Sequence, residues 1–166
     1  MKIHVKKITD ELLLKEACEF TILKEISSTQ TIESQLKYMH SPIRTQTYII
    51  RMYDIPSFAA QHIRTHHEGV LGHFITSRRD DRGGEKEETR SEPVNHMFIA
   101  NLEALINIAN ARLCVSDVHD ETRKVVKELV NILRKKEIYL YDYLVPMCDN
   151  FKRCLSMKPC GRWSDE

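Results

Sequence analysis

What the sequence lacks narrows the reading first. Among its 166 residues there are only five glycines, five prolines and one tryptophan. Neither G-x-x-x-x-G-K-[ST] nor G-x-G-x-x-G occurs, so there is no phosphate-cradling loop and no dinucleotide-binding strand–helix turn; any nucleotide must be gripped by side chains. There is no G-x-S-x-G elbow. Ser77, several histidines and Asp80 or Asp81 are present, but Ser77 lies in a run of arginines, which leaves a Ser/His/Asp hydrolase without its turn. Cys148, Cys154 and Cys160 are separated by five residues each instead of forming tight CxxC pairs. His62 and His66 stand at i and i+4 without the glutamate of a zinc-protease helix, so the expectation is no metal, with zinc on these groups kept as an alternative. No apolar run approaches a membrane span. A net charge of +1 makes the electrostatic case for nucleic acid or a membrane surface weak. Acidic residues follow Met1 too early for a signal peptide, and an odd set of five cysteines reads as reduced thiols, so a cytoplasmic location is expected.

What is present is globular composition: 42% hydrophobic and 30% charged residues, expected to form one domain over residues 1–166. One stretch stands out. Phe58 to Arg82 packs His62, His66, His67 and His73 with Arg64, Arg78, Arg79 and Arg82, threaded among Phe58, Ala59, Ile63, Val70, Leu71, Phe74 and Ile75. Half-buried cationic groups need a partner, and the stretch has no matching block of acids in its apolar part. An anionic ligand is the expected partner.

Around it, periodicity predicts a helix after Met1–Lys7, capped by Thr9 or Asp10, with Leu13, Ala17, Phe20 and Lys24 along one stripe. A short helix over Ile32–Met39 should stop before Pro42. Thr45–Tyr53 is the best strand, with Tyr48, Ile50 and Met52 on one face. Asp54–Ser57 should then turn into a helix carrying Gln61, Arg64 and His66 and ending at Gly69. Asp80–Ser91 reads as a solvated loop, and Val94–Ile99 alternates weakly as a strand. Asn101 should cap a helix with Leu102, Leu105, Ala109 and Leu113 on its stripe. Ser116 or Asp117 should cap another, buried along Val118, Val125, Leu129 and Ile132, with a short apolar helix from Glu137 to Leu144. Asn101 and Arg112 are eleven residues apart, about three turns, so both project on one side of their helix. The C-terminal arginine there either neutralises the helix dipole or makes a second anion contact.

These residues resemble a known family, the flavin-dependent thymidylate synthases, from about His40 to Gly161. The helix NLEALINIANAR (Asn101–Arg112) is similar to the family's N-x-x-S-L-x-N-F-x-x-L-R in unbroken register, with Ala104 for the serine. DVHDETR (Asp117–Arg123) stands loosely where the family has A-Q-x-E-I-R. The tail VPMCDNFKRCLSMKPCGR is similar to the P-x-C…C…CG ending of some members from bacteria and phages, and His40-Ser41-Pro42 resembles a flavin-contacting H-x-T-P turn. The R-H-R-x7-S signature is altered. Arg64 is kept, Thr65 and His66 replace the histidine and second arginine, and ten residues instead of seven precede Ser77 and Arg79.

The resemblance implies an α+β fold, an antiparallel sheet packed with helices, assembled as a homotetramer. It implies FAD, or FMN in its place, contacted by Ser41, Arg64, Thr65, His66, Asn101 and Asn107. A dUMP-like nucleotide would meet Gln61, Ser77, Arg79, Arg90 and Arg112, with Ser77, Arg79 and Arg112 nearest the chemistry. That chemistry would be one-carbon transfer from methylenetetrahydrofolate to C5 of the pyrimidine, with NADPH as the reductant. Glu103 stands where an arginine usually meets the flavin phosphate and would repel it. The altered signature also supports an alternative, a catalytically changed nucleotide-binding or interaction protein that keeps the fold.

Overall fold

The computed structural model describes residues 1–22, 31–77 and 91–163. Its frame is a four-stranded, wholly antiparallel sheet in the order β1-β2-β4-β3, built from β1 (Lys2–Lys7), β2 (Thr47–Pro56), β3 (Val70–Ile75) and β4 (Pro93–Asn101). The helices are α1 (Glu11–Ile22), α2 (Ile32–Lys37), α3 (Ser57–Arg64), α4 (Leu102–Arg112), α5 (Asp120–Lys136) and α6 (Met147–Phe151), with 3-10 helices at Ser41–Thr45 and Ile138–Leu140. The expected α+β class is correct.

Side-chain alternation decides which sheet face is covered. Tyr48, Ile50 and Met52 on β2 and Val94, Phe98 and Ala100 on β4 are buried in one core cluster with Leu105, Ile108 and Ala109 of α4 and Val125, Leu129 and Leu133 of α5, and His96 of β4 is buried on the same alternation. The α5 helix follows from a regular apolar stripe with acids in its first turn and basic residues in its last, which suits the helix dipole. Its far end is tied to the sheet through Glu137, which accepts from the hydroxyls of Tyr139 at 2.6 Å and Tyr48 at 3.4 Å.

Several expectations need correction. Residues 2–7 form a strand, whose burial pattern is too weak to announce itself because only Val5 is buried outright. In α1 the Asp10 cap is real, with Oδ1 accepting from the Leu13 amide at 3.1 Å, but Leu14 and Cys18 are the buried pair and Phe20 is 81% exposed. Lys24 falls outside the described residues. β2 does not stop at Tyr53. A bulge between Met52 and Ile55, with Asp54 at φ 54°, returns Ile55 to the buried side, and the break in alternation reads in sequence as a turn. α3 ends at Arg64, five residues before Gly69, and Val70–Ile75, left unassigned by the sequence, is an edge strand. α5 is capped by His119, not Ser116 or Asp117. Glu137–Leu144 keeps only a three-residue 3-10 turn, Ile138–Leu140. Most of the Asp80–Ser91 loop lies outside the described residues.

Candidate functional site

The turn between α3 and β3 lies along α4, and Gly69 is what permits it. Gly69 has φ 71°, its carbonyl accepts from the Asn101 amide at 2.8 Å, and a Cβ there would stand 2.5 Å from Asn101 Oδ1. The Asn101 side chain caps α4, Oδ1 accepting from the Ala104 amide at 2.9 Å. It therefore folds back over its own helix and does not project beside Arg112.

Arg112, on the last turn of α4, reaches the C-terminus of α3. Its Nε donates to His66 Nε2 at 3.0 Å and its Nη2 to Thr65 Oγ1 at 2.7 Å. The two residues that depart from the family signature thus hold this arginine. His66 must present a bare Nε2 to accept, so it is neutral, and burial together with the Arg112 charge lowers its pKa.

Behind this pair lies a histidine relay. His73 Nε2 meets the His66 carbonyl at 3.1 Å, and His73 Nδ1 meets His96 Nε2 at 3.0 Å. A carbonyl only accepts, so Nε2–H of His73 donates to it. Nδ1 of His73 is then the acceptor for Nε2–H of His96. His96 is 1% exposed and its Nδ1 has no hydrogen-bond partner. Burial drives its pKa down to about 4, helped by His73 and Arg64, and burial also lowers His73. These rings are neutral near pH 7. Desolvation discharges His66, His73 and His96, which partner one another, Arg112 and the backbone, so the expected anion is left to the arginines of the stretch.

A second group forms at the other end of α4. Arg44, on the Ser41–Thr45 3-10 helix, forks onto Glu103 at 2.6 and 3.2 Å. Asn107 is one helical turn beyond Glu103 and exposed, and Ser41 is one 3-10 turn before Arg44 and exposed, so all four lie toward one surface. The Glu103 carboxylate, expected to repel a flavin phosphate, is offset by the Arg44 guanidinium.

The other expected residues are more scattered. Gln61 and Arg64 are exposed on α3. Ser77 lies two residues past the end of β3. Arg79 and Arg90, with Arg78 and Arg82, lie outside the described residues. His62 gives Nδ1 to a contact with Thr122 Oγ1 at 3.0 Å, so His62 and His66 serve different partners. Among the described residues no group of three or more His, Cys, Asp or Glu is gathered to hold a metal ion. No described helix is long and apolar enough to cross a membrane.

Sequence reasoning missed the Arg44–Glu103 fork, the His73–His96 contact and the cradle of Arg112. His96 carried one available signal, a histidine at a core position of the alternating Val94–Ile99 strand.

This antiparallel sheet packed with helices has counterparts of the same fold among solved structures. Two solved structures of Thymidylate Synthase X (ThyX) from Helicobacter pylori are similar to the chain. One, with FAD and dUMP, has a TM-score of 0.70 at 13% identity, covering 87% of this chain and 99% of that one. Another, complexed with FAD and dUMP, gives 0.66 at 14%, covering 87% and 100%. No family model matches the chain, and no curated protein matches it by sequence. The likeness is one of fold.

Proposed function

We propose that the chain is a divergent flavin-dependent thymidylate synthase or a close relative, binding FAD and a dUMP-like nucleotide as one domain in a homotetramer in the cytoplasm. The observation that carries this reading is Arg112. It closes a helix in the family's register, on the ThyX fold, with its guanidinium aimed by Thr65 and His66.

The residues suit the groups they would hold. Ser41, Asn107 and Arg44 offer hydrogen-bond donors on one exposed surface, and Arg64 adds a cation for a flavin diphosphate, with FMN the simpler alternative. Bound flavin would supply hydride chemistry, with NADPH as reductant and methylenetetrahydrofolate as the one-carbon donor. Arg112 would bind the nucleotide and stabilise charge developing on a pyrimidine carbonyl. Two of its donors are already satisfied, which fixes its position without consuming the outer Nη1. Gln61, Ser77, Arg79 and Arg90 would complete the nucleotide grip. In a homotetramer this grip and Arg112 would come from neighbouring copies.

A second reading is favoured by the same contact. An arginine engaged by Thr65 and His66 of its own chain fits a nucleotide-binding or interaction protein that has lost turnover. The test is formation of thymidylate from dUMP, folate donor and NADPH, alongside thermal-shift titration. Turnover supports the first reading. Nucleotide binding that needs no flavin, without turnover, supports the second.

A further inference from the structure

One face of α5 is basic. Arg123, Lys127, Asn131 and Arg134 recur at helical spacing and line a cavity of about 600 Å3. The segment after α5 adds Tyr141, Val145, Pro146 and Asp149, and Arg162 reaches in from the tail. The volume falls within the roughly 300–1,000 Å3 typical of small-molecule sites. None of the residues assigned above to flavin or to the nucleotide lines it.

The charges around this cavity are unevenly matched. Its lining includes one carboxylate, Asp149, and both oxygens of that group are taken: Oδ2 pairs with Arg162 at 2.9 Å and Oδ1 accepts from Trp163 Nε1 at 3.0 Å. Arg123 pairs with Asp120 at 2.6 Å. Among the described residues no ion pair includes Lys127 or Arg134. Arg134 is nonetheless fixed. Its Nη2 donates to the Tyr141 carbonyl at 3.0 Å and the Leu144 carbonyl at 2.9 Å, and its Cζ stands 4.3 Å from the centroid of the Tyr141 ring. That leaves Nη1 without a hydrogen bond among the described residues, and the buried Nε has none either. An oriented, half-buried guanidinium without a carboxylate carries a desolvation cost that a bound anion offsets.

We propose that this cavity is a second ligand site and takes a phosphomonoester of mononucleotide size. The phosphate meets Lys127 and Arg134, whose two unmatched charges balance the charge of about −1.5 to −2 that such a group carries near pH 7. A carboxylate would leave one of the two unmatched, which favours phosphate as the ligand class. Both side chains already line the cavity as it stands. The remainder of the ligand lies against Val115, Val145, Pro146 and the Tyr141 ring, which is 61% exposed and offers a surface to stack on. The site shares no residue with the flavin surface or with the Arg112 contact, so it stands whether or not the chain binds flavin.

The test titrates the full chain, without flavin, with AMP, adenosine and inorganic phosphate by isothermal titration calorimetry. The expected result is saturable binding of AMP, weaker binding of inorganic phosphate and none of adenosine. Arg134 also holds the turn at Tyr141 and Leu144, so the variant is placed at Lys127, which is exposed and takes part in no described hydrogen bond or ion pair. Lys127→Glu should weaken AMP binding roughly tenfold or more, the loss expected when a charged contact is reversed. Chemical acetylation of the unmodified chain keeps the test decisive if that variant does not fold: AMP should protect Lys127 and leave Lys124, exposed on the same helix but outside the cavity, reactive. A folded chain that binds no AMP overturns the proposal. So do AMP binding that is unchanged in Lys127→Glu, bound AMP that leaves Lys127 as reactive as Lys124, or adenosine that binds as tightly as AMP.

Discussion

His66 Nε2 accepts from Arg112 Nε at 3.0 Å, joining the end of α3 to the end of α4. The contact exists only while the ring is neutral, because a protonated imidazole has no acceptor and repels the guanidinium. Acidification through the titration of His66 should therefore release Arg112. Nucleotide affinity should fall with pH below neutrality, and His66→Gln, which keeps an acceptor without titrating, should flatten that profile. Isothermal titration across the range checks it.

Stability should follow His96. Its folded pKa of about 4 lies below the ordinary 6.5, so the unfolded chain takes the proton first. The stability of the neutral ring is full above about pH 6.5 and is lost progressively as pH falls toward 4. The whole shift corresponds to about 3 kcal/mol. Urea midpoints should drop steeply across that window, and His96→Gln should reduce the slope.

The turn that places His66 depends on Gly69 and Asn101. Asn101→Ala removes the α4 cap and should cost about 1 kcal/mol. Gly69→Ala should cost more, because it adds a left-handed backbone penalty of about 1–2 kcal/mol to a clash with Asn101 Oδ1. Denaturant unfolding of both variants ranks them, and equal losses would show that the turn yields.

Legibility in the sequence divides along physical lines. β2, β4, α4 and α5 were readable because burial imposes period 2 or 3.6 on Tyr48–Met52, Val94–Ala100 and Val125–Leu133. β1 and β3 were not. Each is an edge strand with a weakly buried pattern, and β3 carries its His73 and Gly72 where a core strand would carry branched residues. The Asn101 cap was legible as local chemistry. The partners of Arg112, Glu103 and His73 were not, since each lies 7–59 residues away and is chosen by the fold. Thr65 and His66 looked like losses in a signature; in the structure they are the cradle of Arg112.

Glu103 offers a direct handle on the cofactor surface. Glu103→Ala releases Arg44 from its fork and leaves its charge for an incoming phosphate. Flavin affinity should rise severalfold, as expected when one charge-assisted contact is gained. Unchanged affinity, read by flavin fluorescence, would put the phosphate elsewhere.

Arg112→Lys should weaken dUMP binding roughly tenfold or more, because a lysine cannot hold the forked contacts to His66 and Thr65 while reaching a ligand. Folding should be little changed by circular dichroism.

The most direct measurement is an absorbance titration of the purified chain with FAD, repeated with FMN and with dUMP present. The expected result is a saturable, protein-bound flavin spectrum that shifts further when dUMP is added. A folded chain that stays colourless after incubation with either flavin, with and without dUMP, would contradict a flavin-dependent function.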